Sequence, residues 1–130
     1  MKRESWLPAA PESAPLARAI VHETAIACGL DADAAWDLML ATSEAITNAI
    51  LHGTACRKGI LLRVLPSEDG LSVEVCDCGR FDAKPRPAAP DATHGRGIPI
   101  IAAVVDHFEV VPDEGRTRVR FGKRRALAVV

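Results

Sequence analysis

The chain has 130 residues, 48% of them apolar and 25% charged, with 16 Lys and Arg against 17 Asp and Glu for a net charge of −1. That is the length of one domain with a real core and little room for a second; the composition argues against intrinsic disorder, and the near-neutral charge gives no electrostatic drive towards nucleic acid. No apolar run approaches the roughly 18 residues of a membrane span, the start Met1 to Pro8 lacks the apolar core of a signal peptide, and the 4 cysteines read as reduced thiols, so a cytoplasmic protein is expected.

Residues Trp6 to Pro11 read as an extended lead-in punctuated by Pro8 and Pro11. Pro11-Glu12-Ser13 then opens a helix to about Cys28, with Leu16, Ala17, Ile20, Val21, Ala25 and Ile26 at a period near 3.6. Gly29 fits the position just past its end. Asp31 or Asp33 caps a second helix through Trp36, Leu38, Met39, Leu40, Ile46, Ala49 and Ile50, ending at Gly53. Gly59 to Leu65 and Leu71 to Cys76 read as a hairpin around Pro66 to Gly70. Asp82 to His94, with Pro85, Pro87 and Pro90, is a long surface loop of the functional kind. A third helix runs from Ile98 to Val105, with Pro99 tolerated in its first turn. Phe108 to Pro112 and Arg116 to Phe121 form a second hairpin. Helices separate from strand pairs, so the expected fold is α/β: a two-layer sandwich with a mixed, mostly antiparallel sheet covered by three helices.

Three features carry chemistry. In the second helix Glu44, Asn48 and His52 recur every fourth residue, with Asp37 near the same line. At about 100° per residue this is one polar stripe on an apolar helix. It holds no Lys or Arg, and Glu44 with Asn48 offers a carboxylate and an amide oxygen, hard ligands suited to Mg²⁺. The bland alternative is a solvated outer face. Next, a strand ends on Asp77, with Gly79 two residues on. This is either a plain strand exit or an acceptor for an exocyclic amine, with room for a flat ring beside the glycine. Finally, His94-Gly95-Arg96-Gly97 opens the third helix. Glycines there expose backbone N–H groups to an anion, and Arg96 can add charge-assisted contacts to phosphate. Cys76 and Cys78 make half a zinc pair, but no second close pair accompanies them.

In that order, Glu-x-x-x-Asn-Ala-x-x-His-Gly, Asp-x-Gly-x-Phe, a long loop and a Gly-x-Gly helix start resemble the N, G1 and G2 boxes of the histidine-kinase-like ATPase superfamily. Ser43 to Gly53 is similar to the family N box over its whole length, and His94 to Ile101 looks like G2. Within the superfamily the chain resembles the small anti-sigma factors and serine-protein kinases of bacterial partner-switching systems. The likeness covers nearly the whole chain, as one ATPase domain over 1–130. It departs from the fuller G1 pattern at Arg80-Phe81, where a second glycine would come.

The resemblance implies ATP and Mg²⁺ as ligands. Asn48 would hold Mg²⁺ against the phosphates, and Glu44 would be the general base towards an attacking serine hydroxyl. Asp77 would accept from the adenine amine with Thr117 in support, and Gly79 would make room for the ring. Gly95, Arg96 and Gly97 would line the phosphates under a lid formed by Asp82 to His94. The implied partners are a small anti-anti-sigma (STAS-type) antagonist and a sigma factor or similar target. A homodimer is also implied, with no direct nucleic acid and no membrane. Two alternatives stand beside it: a nucleotide-gated protein-binding module without kinase activity, and a partner-switching kinase whose target is not a sigma factor. Arg116, Arg118 and Arg120 fall on one face of their strand, away from Thr117, Val119 and Phe121, and read as a solvated sheet face.

Overall fold

A computed structural model describes residues 2–52, 59–77, 97–113 and 116–125. In chain order these form β1 (Arg3–Leu7), α1 (Ser13–Ala27), α2 (Ala32–His52), β2 (Ile60–Ser67), β3 (Gly70–Asp77), α3 (Gly97–Val104), β4 (His107–Asp113) and β5 (Arg116–Arg124). The sheet order is β1-β2-β3-β5-β4.

The local signals explain the element ends. Asp31 is the cap of α2, since its Oδ1 accepts from the Ala34 N–H at 2.8 Å. Asp33 instead lies in the first turn, where a carboxylate favours the helix dipole. Gly29 closes α1 in the left-handed region at φ +83°. The Leu30 N–H reaches Ala25 O and the Gly29 N–H reaches Ile26 O, which is the paired bonding of a Schellman motif. The extended lead-in sits earlier than the sequence indicated. It is strand β1, and it stops before Pro8, which has no N–H to continue a ladder. The first hairpin is tighter than expected, because Ser67 still pairs with Gly70 around Glu68-Asp69. A Cβ on Gly70 would strike the Lys123 carbonyl of β5, so glycine is what lets these strands approach.

All strand pairings among the described residues are antiparallel, where the sequence reading allowed for a mixed sheet. The crossover through α3 does make β4 run in the same direction as β3. β5 is slotted between them, so that parallel relation never becomes a pair. His107 opens β4 opposite Gly122, one residue before the strand start expected at Phe108.

Register then sorts the sheet into two faces. One carries the cross-strand rows Leu62, Val75, Val119, Val110 and Val64, Val73, Phe121, Phe108. These meet Ala17, Val21 and Ala25 of α1, Leu38, Ala41, Ala45, Ile46 and Ala49 of α2, and Ile101 of α3 in one core. The run of small alanines lets α2 lie close to both α1 and the sheet, at the density that interiors require. The other face carries a row of alternating charge, Glu4, Arg63, Glu74, Arg120 and Glu109, one residue per strand. None of its residues joins the core cluster. The solvated-face reading of Arg118 and Arg120 therefore has the correct side, but Glu74 in their midst is buried.

Candidate functional site

Chain direction decides which ends of the elements meet. β3 finishes at Asp77, and β5 begins beside it, with Thr117 as the register partner of Asp77. Both residues lie on the helix-covered face, in the row that follows Val75 and Val119. Thr117 is buried and Asp77 is half-buried. At the opposite end of the same face, Lys123 of β5 holds Asp37 of α2 at 3.0 Å. From Thr117 to Lys123 the strand travels about 20 Å, and from Asp37 to Asn48 the helix travels about 16 Å. The two run antiparallel, so the C-terminal half of α2 reaches the Asp77–Thr117 end.

The same logic orients α3. β4 starts at His107 opposite Gly122, far from Asp77, and α3 stops three residues earlier at Val104. Its 8 residues, about 12 Å of helix, must run away from the Asp77 end, which leaves Gly97 at that end. α3 packs against α2. One end of the domain thus gathers the C-terminal half of α2, the N-terminus of α3, the last residue of β3 and the start of β5.

Glu44 and Asn48 lie one turn apart on α2, both half-buried. Asp37, on the same stripe, is engaged structurally by Lys123 and is not free for a ligand. The preceding Ser43 is tied to α1, its Oγ accepting from Arg18 Nη1 at 2.9 Å, which fixes the rotation of α2 beside Glu44. Gly97 is the first residue of α3. Gly79, Gly95, Arg96 and the loop Asp82 to His94 lie outside the described residues, as does the departure at Arg80-Phe81.

The electrostatics of this end are mixed in sign. A helix N-terminus, such as that of α3, carries N–H groups with no partner inside the helix and the positive dipole end, which suit an anion. The C-terminus of α2 presents the negative dipole end, which suits a cation. An anion with a bridging cation matches both. The donors fit such a pair: the oxygens of Glu44 and Asn48 are hard ligands, and Asp77 is an acceptor at the mouth of a buried sheet face. Among the described residues no three His, Cys, Asp or Glu side chains cluster as a metal site of their own, so a cation here would depend on its ligand's oxygens.

The family model of the histidine kinase-like ATPase domain matches residues 7–123. The chain belongs to the histidine kinase-like ATPase family. Membership implies ATP binding. The chain is 33% identical over 123 residues to the serine-protein kinase RsbW of Listeria monocytogenes, covering 84% of this chain and 78% of that one. It is 31% identical over 101 residues to the anti-sigma F factor of Clostridium acetobutylicum, covering 70% and 71%. The fold matches the crystal structure of the RsbU and RsbW domains of a Mycobacterium tuberculosis protein with a TM-score of 0.75 at 23% identity. That match covers 95% of this chain and 32% of the other, so the ATPase chain spans about a third of that structure. No described helix is long and apolar enough to cross a membrane.

Cys76 sits beside Asp77 on the opposite, open face. Burial pushes its thiol above the usual range; the Glu74 carboxylate adds to this and Arg63 and Arg118 oppose it. A raised pKa means less thiolate at a given pH, so alkylation of Cys76 is expected to be slower than that of a free cysteine peptide at neutral pH. It should accelerate only at more alkaline pH, as read by mass spectrometry of the labelled peptide. Labelling at the rate of the free peptide would show that the face around Cys76 opens.

Proposed function

We propose that the chain is an ATP-dependent serine-protein kinase and anti-sigma factor of a bacterial partner-switching pathway, acting in the cytoplasm as a homodimer. On this reading it sequesters a sigma factor and phosphorylates a serine on a small STAS-type antagonist. The reading is supported chiefly by one arrangement: the Glu44–Asn48 stripe and the Asp77–Thr117 pair converge on the end where α3 begins. The similarity to a serine-protein kinase and to an anti-sigma factor agrees with it.

Bound ATP with Mg²⁺ would supply the activated γ-phosphoryl group and the charge neutralisation that phosphoryl transfer needs. The residues do the rest. Asn48 would hold the metal through its side-chain oxygen. Asp77 would accept from the adenine amine, a contact that guanine, with a carbonyl at that position, cannot make. Thr117 would support Asp77 from the next strand, and Gly79 would leave room for the ring. Gly95, Arg96 and Gly97 would direct N–H groups and positive charge at the phosphates. Glu44 would take the proton of the partner's serine hydroxyl as its oxygen bonds phosphorus and ADP leaves.

Asp77→Ala removes a hydrogen bond to a charged acceptor, worth about 1.5–3 kcal/mol. ATP affinity should fall by roughly 10–150-fold at that magnitude, and the preference for ATP over GTP should shrink with it. Fluorescent-nucleotide competition measures both. Equal ATP affinity in the variant would remove Asp77 from the site.

A further inference from the structure

Two large apolar side chains stand uncovered beside the turn between α1 and α2. Ile26 of α1 is 48% exposed and Trp36 of α2 is 66% exposed. The Arg18–Ser43 bond sets the register of the two antiparallel helices. Ile26 lies about 12 Å beyond Arg18 along α1, and Trp36 lies about 10 Å before Ser43 along α2, so the two are level. Half-buried Leu40 follows Trp36 by one turn on the same side. The other exposed large apolar residues are elsewhere: Leu16 and Leu51 towards the far end of the helix pair, and Trp6 on the open sheet face.

The chain leaves the sheet beside this patch. The Arg124 N–H donates to Asp106 Oδ2 at 2.7 Å and the Arg125 N–H to the Asp69 carbonyl at 2.6 Å, which fixes the exit from β5. The Arg125 side chain then lies against the turn between the helices, since a Cβ on Gly29 would stand 3.7 Å from Arg125 Cδ. Lys123 holds Asp37, the residue next to Trp36. Residues 126–130, outside the described residues, read Ala-Leu-Ala-Val-Val. After Lys123-Arg124-Arg125 this is an abrupt change to a wholly apolar segment. Extended, it reaches about 17 Å, and Ile26 is only about 5 Å of helix from Gly29. Leu127 and Val129 share one side of an extended segment. Packing them on Ile26 and Trp36 removes apolar surface from water on both sides of the contact.

We propose that residues 126–130 dock across the α1–α2 turn, with Leu127 and Val129 seated on Ile26 and Trp36. The occupant is this chain's own segment because of where it is tethered. A short tether presents it at an effective concentration of about millimolar, which a free partner or a second copy would have to match. The docked segment straps β5 to the helical layer at the end where Lys123 already holds Asp37. That end is opposite Asp77 and Thr117, so the inference uses nothing of the nucleotide site.

Acrylamide quenching of Trp36 in the full chain tests it, with Trp6→Phe removing the other of the 2 tryptophans. Leu127→Asp combined with Val129→Asp should uncover Trp36 and shift its emission to longer wavelength. The quenching constant should rise about twofold as the contact with the indole is lost. Circular dichroism checks that each variant is folded. The same aspartates in a Trp36→Phe chain, which reports from Trp6, should leave emission unchanged. Equal quenching of Trp36 with and without the aspartates overturns the docking. An equal response at Trp6 marks a change of the whole fold and overturns it as well. Protection of Trp36 that disappears on dilution makes the occupant a second copy and overturns the contact within one chain.

Discussion

Glu44→Ala should cost 10²–10⁴-fold in phosphotransfer to a serine on the partner while ATP binding survives, the usual range for losing a general base. The split follows from position. Glu44 lies one turn before Asn48 on a helix whose rotation is pinned by the Arg18–Ser43 bond, and neither Glu44 nor Asn48 joins the core cluster. Removing the carboxylate would therefore leave the fold and the proposed metal ligand in place and take away the proposed proton acceptor. Transfer of labelled phosphate from ATP to the antagonist, followed beside nucleotide affinity, reads both halves. Retained phosphotransfer would make Glu44 a helix-surface residue and leave the kinase reading without a base. Loss of ATP binding together with transfer would put Glu44 among the ligand contacts instead.

The second large effect lies under the site. Phe121→Ala should destabilise the domain by about 3–5 kcal/mol, the range for deleting a buried aromatic. For a domain of this size the melting temperature should fall by roughly 10–20 °C. Phe121 is fully buried and shares its cross-strand row with Val73 and Phe108 beneath the helices. Its neighbour Arg120 points to the other face, so Arg120→Ala should have a much smaller effect. The contrast is a test of register. Sheet side chains alternate with period two, so a one-residue slip of β5 would exchange the two outcomes. It would also carry Thr117 off the helix-covered face and away from its place at the candidate site. Thermal melts of the two variants decide it.

Much of this was legible in the sequence because it is local. The 3.6-residue spacing, Gly29 beyond α1 and an acid before α2 specify the helices, and the alternation of Leu71, Val73 and Val75 specifies β3. The Glu44–Asn48 stripe and the strand-terminal Asp77 stood out for the same reason. What was not legible depends on contacts far apart in the chain. β1 sits earlier than its prolines indicated, because pairing with β2 captures Arg3 to Leu7. Asp37 looked like part of the polar stripe until Lys123 claimed it from 86 positions away along the chain. The charge-alternating row needs one residue from each of five strands, and no window of sequence displays it. Its trace was faint: charged residues, Glu74 above all, at alternate positions in otherwise apolar strands.

On the proposed function, one end of this domain would bind ATP through Mg²⁺ held at Asn48. Calorimetric titration of ATP into the native chain and into Asn48→Ala, each with and without Mg²⁺, tests it most directly. The native chain should bind clearly and more tightly with Mg²⁺, and Asn48→Ala should bind more weakly with no gain from Mg²⁺. A native chain that binds neither ATP nor ADP at high concentration, or an Asn48→Ala variant with the full Mg²⁺ response, would contradict it.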